Sequence, residues 1–133
     1  MFESRERAKQ LIDFSGMNYS GANARPMDID LAMDCRRGEV FVFGEIKYNG
    51  KPVPSGQRWW LFNIINALKA GGKRGLAMIL DHNIKDADTD VLAASCTVRE
   101  YITTETVGFG WSAPRRDYTC DEMIKAYLSM SAP

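Results

Sequence analysis

Val40-Phe41-Val42-Phe43-Gly44-Glu45-Ile46-Lys47-Tyr48 begins as an apolar run and turns charged without leaving its extended pattern. β-Branched and aromatic residues fill its first half, which predicts a strand. Just upstream, Arg36-Arg37-Gly38 supplies a hairpin turn. The partner strand is expected over Met27 to Met33, where Asp28 and Asp30 alternate with Ile29 and Leu31. Side chains alternate faces along a strand, so Asp28 and Asp30 are expected to share one face and Glu45 and Lys47 another. Closing the hairpin brings two carboxylate-bearing strands side by side and gathers two or three carboxylates around one ammonium.

Working outward, Asn49 to Pro54 breaks the strand, and Ser55 is expected to cap a helix that runs to about Ala70 and closes at Gly71-Gly72. Its inward stripe reads Leu61, Ile64 or Ile65, and Leu68, with Gln57 on the same side at the end nearest the hairpin. Gly75 to Leu80 reads as a buried parallel strand and Asp81 to Asp90 as an acidic loop. Thr97 to Val107 reads as another strand, with room for one before it. Thr119-Cys120-Asp121-Glu122 is a capping box opening a helix to about Ser129. A first helix is expected over residues 3–14, followed by a loop over 16–25. The order α, β-hairpin, α, β, β, α predicts one small α/β domain.

The chain's 133 residues suit a single domain, and 45% apolar residues can fill one core. That composition excludes disordered and fibrous classes. No window reaches the roughly 18 apolar residues of a membrane span. The charged N-terminus lacks a signal-peptide core, so a cytoplasmic setting is expected, in a bacterium or a phage-infected cell. Cys35, Cys96 and Cys120 are widely spaced and His82 is the one histidine. A structural zinc site needs about four ligands with close pairs among them, so these read as free thiols in a reducing compartment.

Seventeen basic and seventeen acidic residues cancel, yet residues 36–74 hold eight basic and two acidic. A local basic region can follow a phosphate backbone, and Lys51, Arg58, Lys73 and Arg74 are the candidate contacts. Trp59, Trp60 and Trp111 can stack on bases. Core packing is the expectation for Trp60 and Trp111, and an outward position for Trp59. Asp86 to Asp90 imitates an EF-hand start but lacks the glycine and the final glutamate, and Gly72-Lys73 lacks the rest of a P-loop.

Charges on a central strand are costly unless paired. A divalent cation held by Asp30 and Glu45 would offset that cost, and carboxylate oxygens suit Mg²⁺. Gln57, beside a positive helix N-terminus, is placed to orient a phosphate or a metal-bound water.

Pro26-x-Asp28-x-Asp30, a hairpin, Gly44-Glu45-Ile46-Lys47 and then Gly56-Gln57-Arg58 opening an amphipathic helix resemble the PD-(D/E)XK nuclease superfamily. The likeness is nearest to its small phage and resolvase-like members and covers about residues 3 to 82. It implies a restriction-endonuclease-like core of α-β-β-β-α-β order, with a mixed central sheet flanked by helices. It also implies a Mg²⁺- or Mn²⁺-dependent deoxyribonuclease. Asp30 would be the motif aspartate, Glu45 and Lys47 the E-x-K pair and Gln57 the helix-borne glutamine. Asp28, Asp30, Glu45 and the Ile46 carbonyl would hold metal. Met27 separates proline from aspartate, which leaves Asp28 and Asp30 competing for the motif role, and the short hairpin from Asp30 to Glu45 favours Asp30. Glu3 or Glu6 would add a carboxylate, or face solvent. The alternative is a catalytically silent binding module on the same fold, such as a phage-encoded inhibitor or nucleic-acid adaptor. Neutral net charge favours that module, or else a homodimer that pools two basic surfaces on DNA.

Overall fold

The computed structural model describes residues 15–17, 28–86 and 88–130. The helix expected over 3–14 and most of the loop after it, with Glu3, Glu6, Pro26 and Met27, lie outside the described residues. Strands β1 (Leu31–Cys35) and β2 (Val40–Tyr48) form an antiparallel hairpin. Helix α1 (Ser55–Ala70) carries the chain to β3 (Arg74–His82), which lies parallel to β2. Strand β4 (Thr97–Thr103) returns antiparallel to β3, and α2 (Cys120–Ser129) follows. The result is an α/β domain with a mixed four-stranded sheet in the order β1-β2-β3-β4. Two strands precede α1 among the described residues.

Local chemistry sets these boundaries. The turn between β1 and β2 holds Arg36, Arg37 and Gly38 in the left-handed region, at φ 56°, 54° and 84°. Glycine adopts that conformation at little cost and the arginines do not. Asp34 helps hold the turn by accepting the Gly38 N–H at 2.6 Å. At the other end of the chain, Thr119 and Glu122 cap α2 reciprocally, each side chain accepting the other's backbone N–H at 3.1 and 3.0 Å.

Strand β3 is buried from Arg74 to Leu80 because helices cover both faces of the sheet. Ala77 joins Leu61, Ile65, Ile102 and Val107 beneath α1. Leu76, Met78 and Leu80 join Val40, Val42, Val98, Met123 and Tyr127 beneath α2. Gly75 lets α1 approach: a Cβ there would stand 2.7 Å from the Leu68 Cδ1. Backbone bridges from Thr119 to Thr97 and from Ser112 to Tyr101 cover the outer edge of β4.

Several expected boundaries shift. The first hairpin strand begins at Leu31, not Met27, so Asp28 and Asp30 precede it. The next rung would set Asp30 opposite Glu45, but there the Asp30 carboxylate takes the Ile46 N–H that a further backbone ladder bond would need. Pro54, not Ser55, occupies the N-cap of α1, with its carbonyl accepting the Gln57 and Arg58 N–H groups. Asp81 and His82 remain in β3 instead of opening the acidic loop, because they pair with Lys47 and Tyr48. A 3₁₀ turn at Ala93–Ser95 replaces the optional strand before Thr97, and β4 ends at Thr103. No helix among the described residues is long and apolar enough to cross a membrane.

Candidate active site

The β1–β2 register pairs Leu31 with Gly44, so one further step sets Asp30 opposite Glu45. The Asp30 carboxylate turns into that step and accepts the Ile46 N–H at 2.7 Å. Glu45 is 6% exposed, and Asp30 lies within hydrogen-bonding reach of it. Burial pushes the Glu45 carboxyl up to about 7, with the Asp30 charge and hydrogen bond adding to the rise and Lys47 opposing it. Asp28 adds a smaller push in the same direction. Near neutral pH the Glu45 carboxyl is therefore partly protonated. Among the described residues no three His, Cys, Asp or Glu side chains converge as a metal cage.

Lys47 follows Glu45 on the same face of β2, its Nζ 3.8 Å from Glu45 Oε1. Both side chains stay largely covered, at 22% and 7% exposed. Gly44 makes room for the arrangement. A Cβ on it would meet the Leu80 Cδ1 at 3.2 Å and the Leu31 Cδ2 at 3.3 Å. Leu31 directly follows Asp30, so Gly44→Val is expected to push the Asp30 segment off the Ile46 N–H. The expected loss is about 1–3 kcal/mol in urea denaturation, with the Ile46 amide exchanging faster with deuterium. An unchanged Ile46 exchange rate would refute the link.

Helix α1 enters from the same end, since the chain leaves β2 at Tyr48 and caps the helix at Pro54. Gln57 lies one turn before Leu61 and Ile65, on the stripe that faces the sheet. Its Oε1 is buried and has no hydrogen-bond partner among the described residues. An orphaned acceptor at this depth is costly unless something donates to it. The neighbouring Arg58 is already paired: its guanidinium reaches Glu100 and lies 5.6 Å from the centre of the Trp111 ring.

Three charged residues on this side of the sheet escaped the motif reading. Glu100 pairs with Ile79, which pairs with Glu45, so both glutamates stand in one row on the α1 face. Asp81 lies beside Lys47 in the register and accepts two hydrogen bonds from Arg99. Arg99 holds the Asp81 carboxyl below its ordinary range, and Asp81 raises the guanidinium in return. The hint in the sequence was Arg99-Glu100 inside a strand otherwise made of Thr, Val, Tyr and Ile.

The four basic residues expected along a phosphate backbone do not form one surface. Lys51 is exposed at the Tyr48 end of β2, with its ammonium 6.0 Å from the Tyr48 ring centre. Lys73 and Arg74 lie at the far end, where β3 begins, and Lys73 pairs with Glu39 at 3.1 Å. Arg74 is only 9% exposed. It reaches Glu105 at 3.5 Å and the Met130 carbonyl at 3.3 Å, and packs over Tyr127. Its role is internal. Trp59 is 63% exposed as expected, while Trp60 and Trp111 pack against the core beneath α1.

No family model matches the chain, and no curated protein or solved structure matches it either.

Proposed function

We propose that this chain is a metal-dependent nuclease that hydrolyses DNA phosphodiester bonds, on a core like that of the PD-(D/E)XK nucleases. The observation that carries the reading is the buried Glu45 carboxyl facing Asp30, with the Lys47 ammonium 3.8 Å from it. A buried carboxyl that keeps its proton near neutral pH, facing a second carboxylate, is suited to exchanging that proton for a cation. Mg²⁺ fits such a pair because it binds through one or two carboxylates and keeps waters and phosphate oxygens as its other ligands. A strand residue presents its N–H and C=O on the same edge, so the Ile46 carbonyl faces the side from which Asp30 accepts its N–H. Asp30, Glu45 and that carbonyl would hold the ion, and Asp28 would add negative potential.

When bound, the ion would polarise the scissile phosphate and lower the pKa of a coordinated water. Lys47 would hold that water by hydrogen bonding and balance charge growing on the phosphate oxygens. Gln57 Oε1 would accept a proton donor from the same water layer. The test is cleavage of single-stranded, duplex, nicked and four-way-junction DNA with Mg²⁺, Mn²⁺ or EDTA. Lys47→Ala and Glu45→Ala are run beside the wild type. Metal-dependent cutting lost in both variants is the expected result.

The competing reading, a silent binding module, draws on the internal pairing of Arg58, Lys73 and Arg74, which occupies three of the four expected phosphate contacts. Tight DNA or protein binding without cutting, by a folded wild-type chain, would favour it.

A further inference from the structure

The first two turns of α1 carry a second surface, turned away from Gln57. Trp59 projects from it and meets Phe62 edge-on, with ring centres 5.6 Å apart and planes at 90°. Trp111 and Arg58 close the opposite side. With Ser55 they line a nearly apolar recess of about 240 Å³. That lies below the roughly 300–1,000 Å³ of pockets for drug-sized ligands, so it admits a single ring system and not a peptide helix.

Three aromatic walls and a guanidinium plane suit a flat π-ring that carries negative charge nearby. The Arg58–Glu100 ion pair holds that guanidinium against the indole of Trp111. The N-terminus of α1 has no side-chain cap and no acidic residue in its first turn, so its field complements an anionic linkage beside the ring. Arg58 lines the recess and pairs with Glu100, which stands two strands from Glu45 in the same row, so that end of the recess lies roughly 10 Å from the carboxyl pair.

We infer that the recess takes an unpaired nucleobase of the strand whose phosphodiester lies at Asp30 and Glu45. The inference rests on the nuclease reading and narrows its substrate to DNA with unstacked bases, single-stranded or branched. A fully stacked duplex has no ring to offer.

The experiment follows fluorescence anisotropy of a labelled oligothymidine strand, and of the same strand made abasic, in EDTA. Wild type, Trp59→Ala and Trp59→Phe are compared. Trp59→Ala is expected to weaken oligothymidine binding roughly tenfold and to leave the abasic strand unaffected, while Trp59→Phe retains most of the affinity. Equal affinity of wild type and Trp59→Ala for oligothymidine would overturn the inference, as would equal losses on both strands or no binding of either strand by the wild type. If the recess fails while Lys47-dependent cleavage persists, the nuclease reading stands alone. Base-dependent binding through Trp59, with no metal-dependent cleavage, would keep the recess and remove the nuclease.

Discussion

Glu45→Gln is expected to abolish cleavage and, at the same time, to make the metal-free protein more stable at alkaline pH. The folded state raises this carboxyl from 4.5 to about 7, so between those values it binds a proton that the unfolded chain has released. Stability is then fully present below the ordinary carboxylate range and falls as pH rises through about 7. A shift of that size corresponds to about 3 kcal/mol. Glutamine carries no charge to desolvate, and its amide still fits the site. Part of the gain is returned because Lys47 loses its partner, which leaves about 1–2 kcal/mol in favour of the variant at pH 8. Cleavage should fall by about a hundredfold or more, because a carboxylate ligand has been replaced by a neutral amide.

Thermal melts in EDTA from pH 5 to 8 isolate the effect as the difference between wild type and variant. A difference that does not grow with pH would show that Glu45 is ordinary. Mg²⁺ should flatten the wild-type slope, since it competes with the Glu45 proton.

Arg74→Ala is expected to lose about 3 kcal/mol of stability, the range for removing one partner of a largely buried pair. Arg74 ties the start of β3 to Glu105, to the Met130 carbonyl and to the Tyr127 ring. Glu105 in turn accepts the Tyr127 hydroxyl at 2.6 Å and the Thr104 hydroxyl at 2.8 Å. Burial and that carboxylate raise the Tyr127 phenol to about 12, which keeps it a donor. Deleting the guanidinium leaves Glu105 without its countercharge in this network. Adding Glu105→Gln should recover part of the loss, and urea denaturation of the two single variants and the double measures the coupling. Cleavage per folded molecule should not change. A variant as stable as wild type but weaker on DNA would restore Arg74 to the role that its place in a basic stretch first suggested.

The parts of the fold legible in the sequence are those with local causes. Val40 to Tyr48 is a strand at the expected limits, and the helix ends at Ala70 as expected and starts within a residue of the expected place, because an apolar run, two prolines and paired glycines punctuate them. The Thr119–Glu122 box announced α2 for the same reason. What the sequence hid depends on distant partners. The start of β1 is decided by the Ile46 N–H, sixteen residues past Asp30, which the Asp30 side chain takes and which no local propensity records. Arg58 and Arg74 looked like surface charges because nothing near them in the chain names Glu100 and Glu105. The row joining Glu45, Ile79 and Glu100 exists only once the crossover through α1 has fixed the register.

The short turn at 36–39 also governs where this chain can change length. One residue inserted there slips β1 by one step against β2 and carries Asp30 to the opposite face, away from Glu45. An insertion between Asn83 and Asp90 meets no such rule, because that stretch is exposed over most of its length and the 3₁₀ turn at Ala93–Ser95 still stands between it and β4. Descendants of this chain can therefore lengthen freely on one side of the sheet, while the four residues of the hairpin turn must be inherited as a unit.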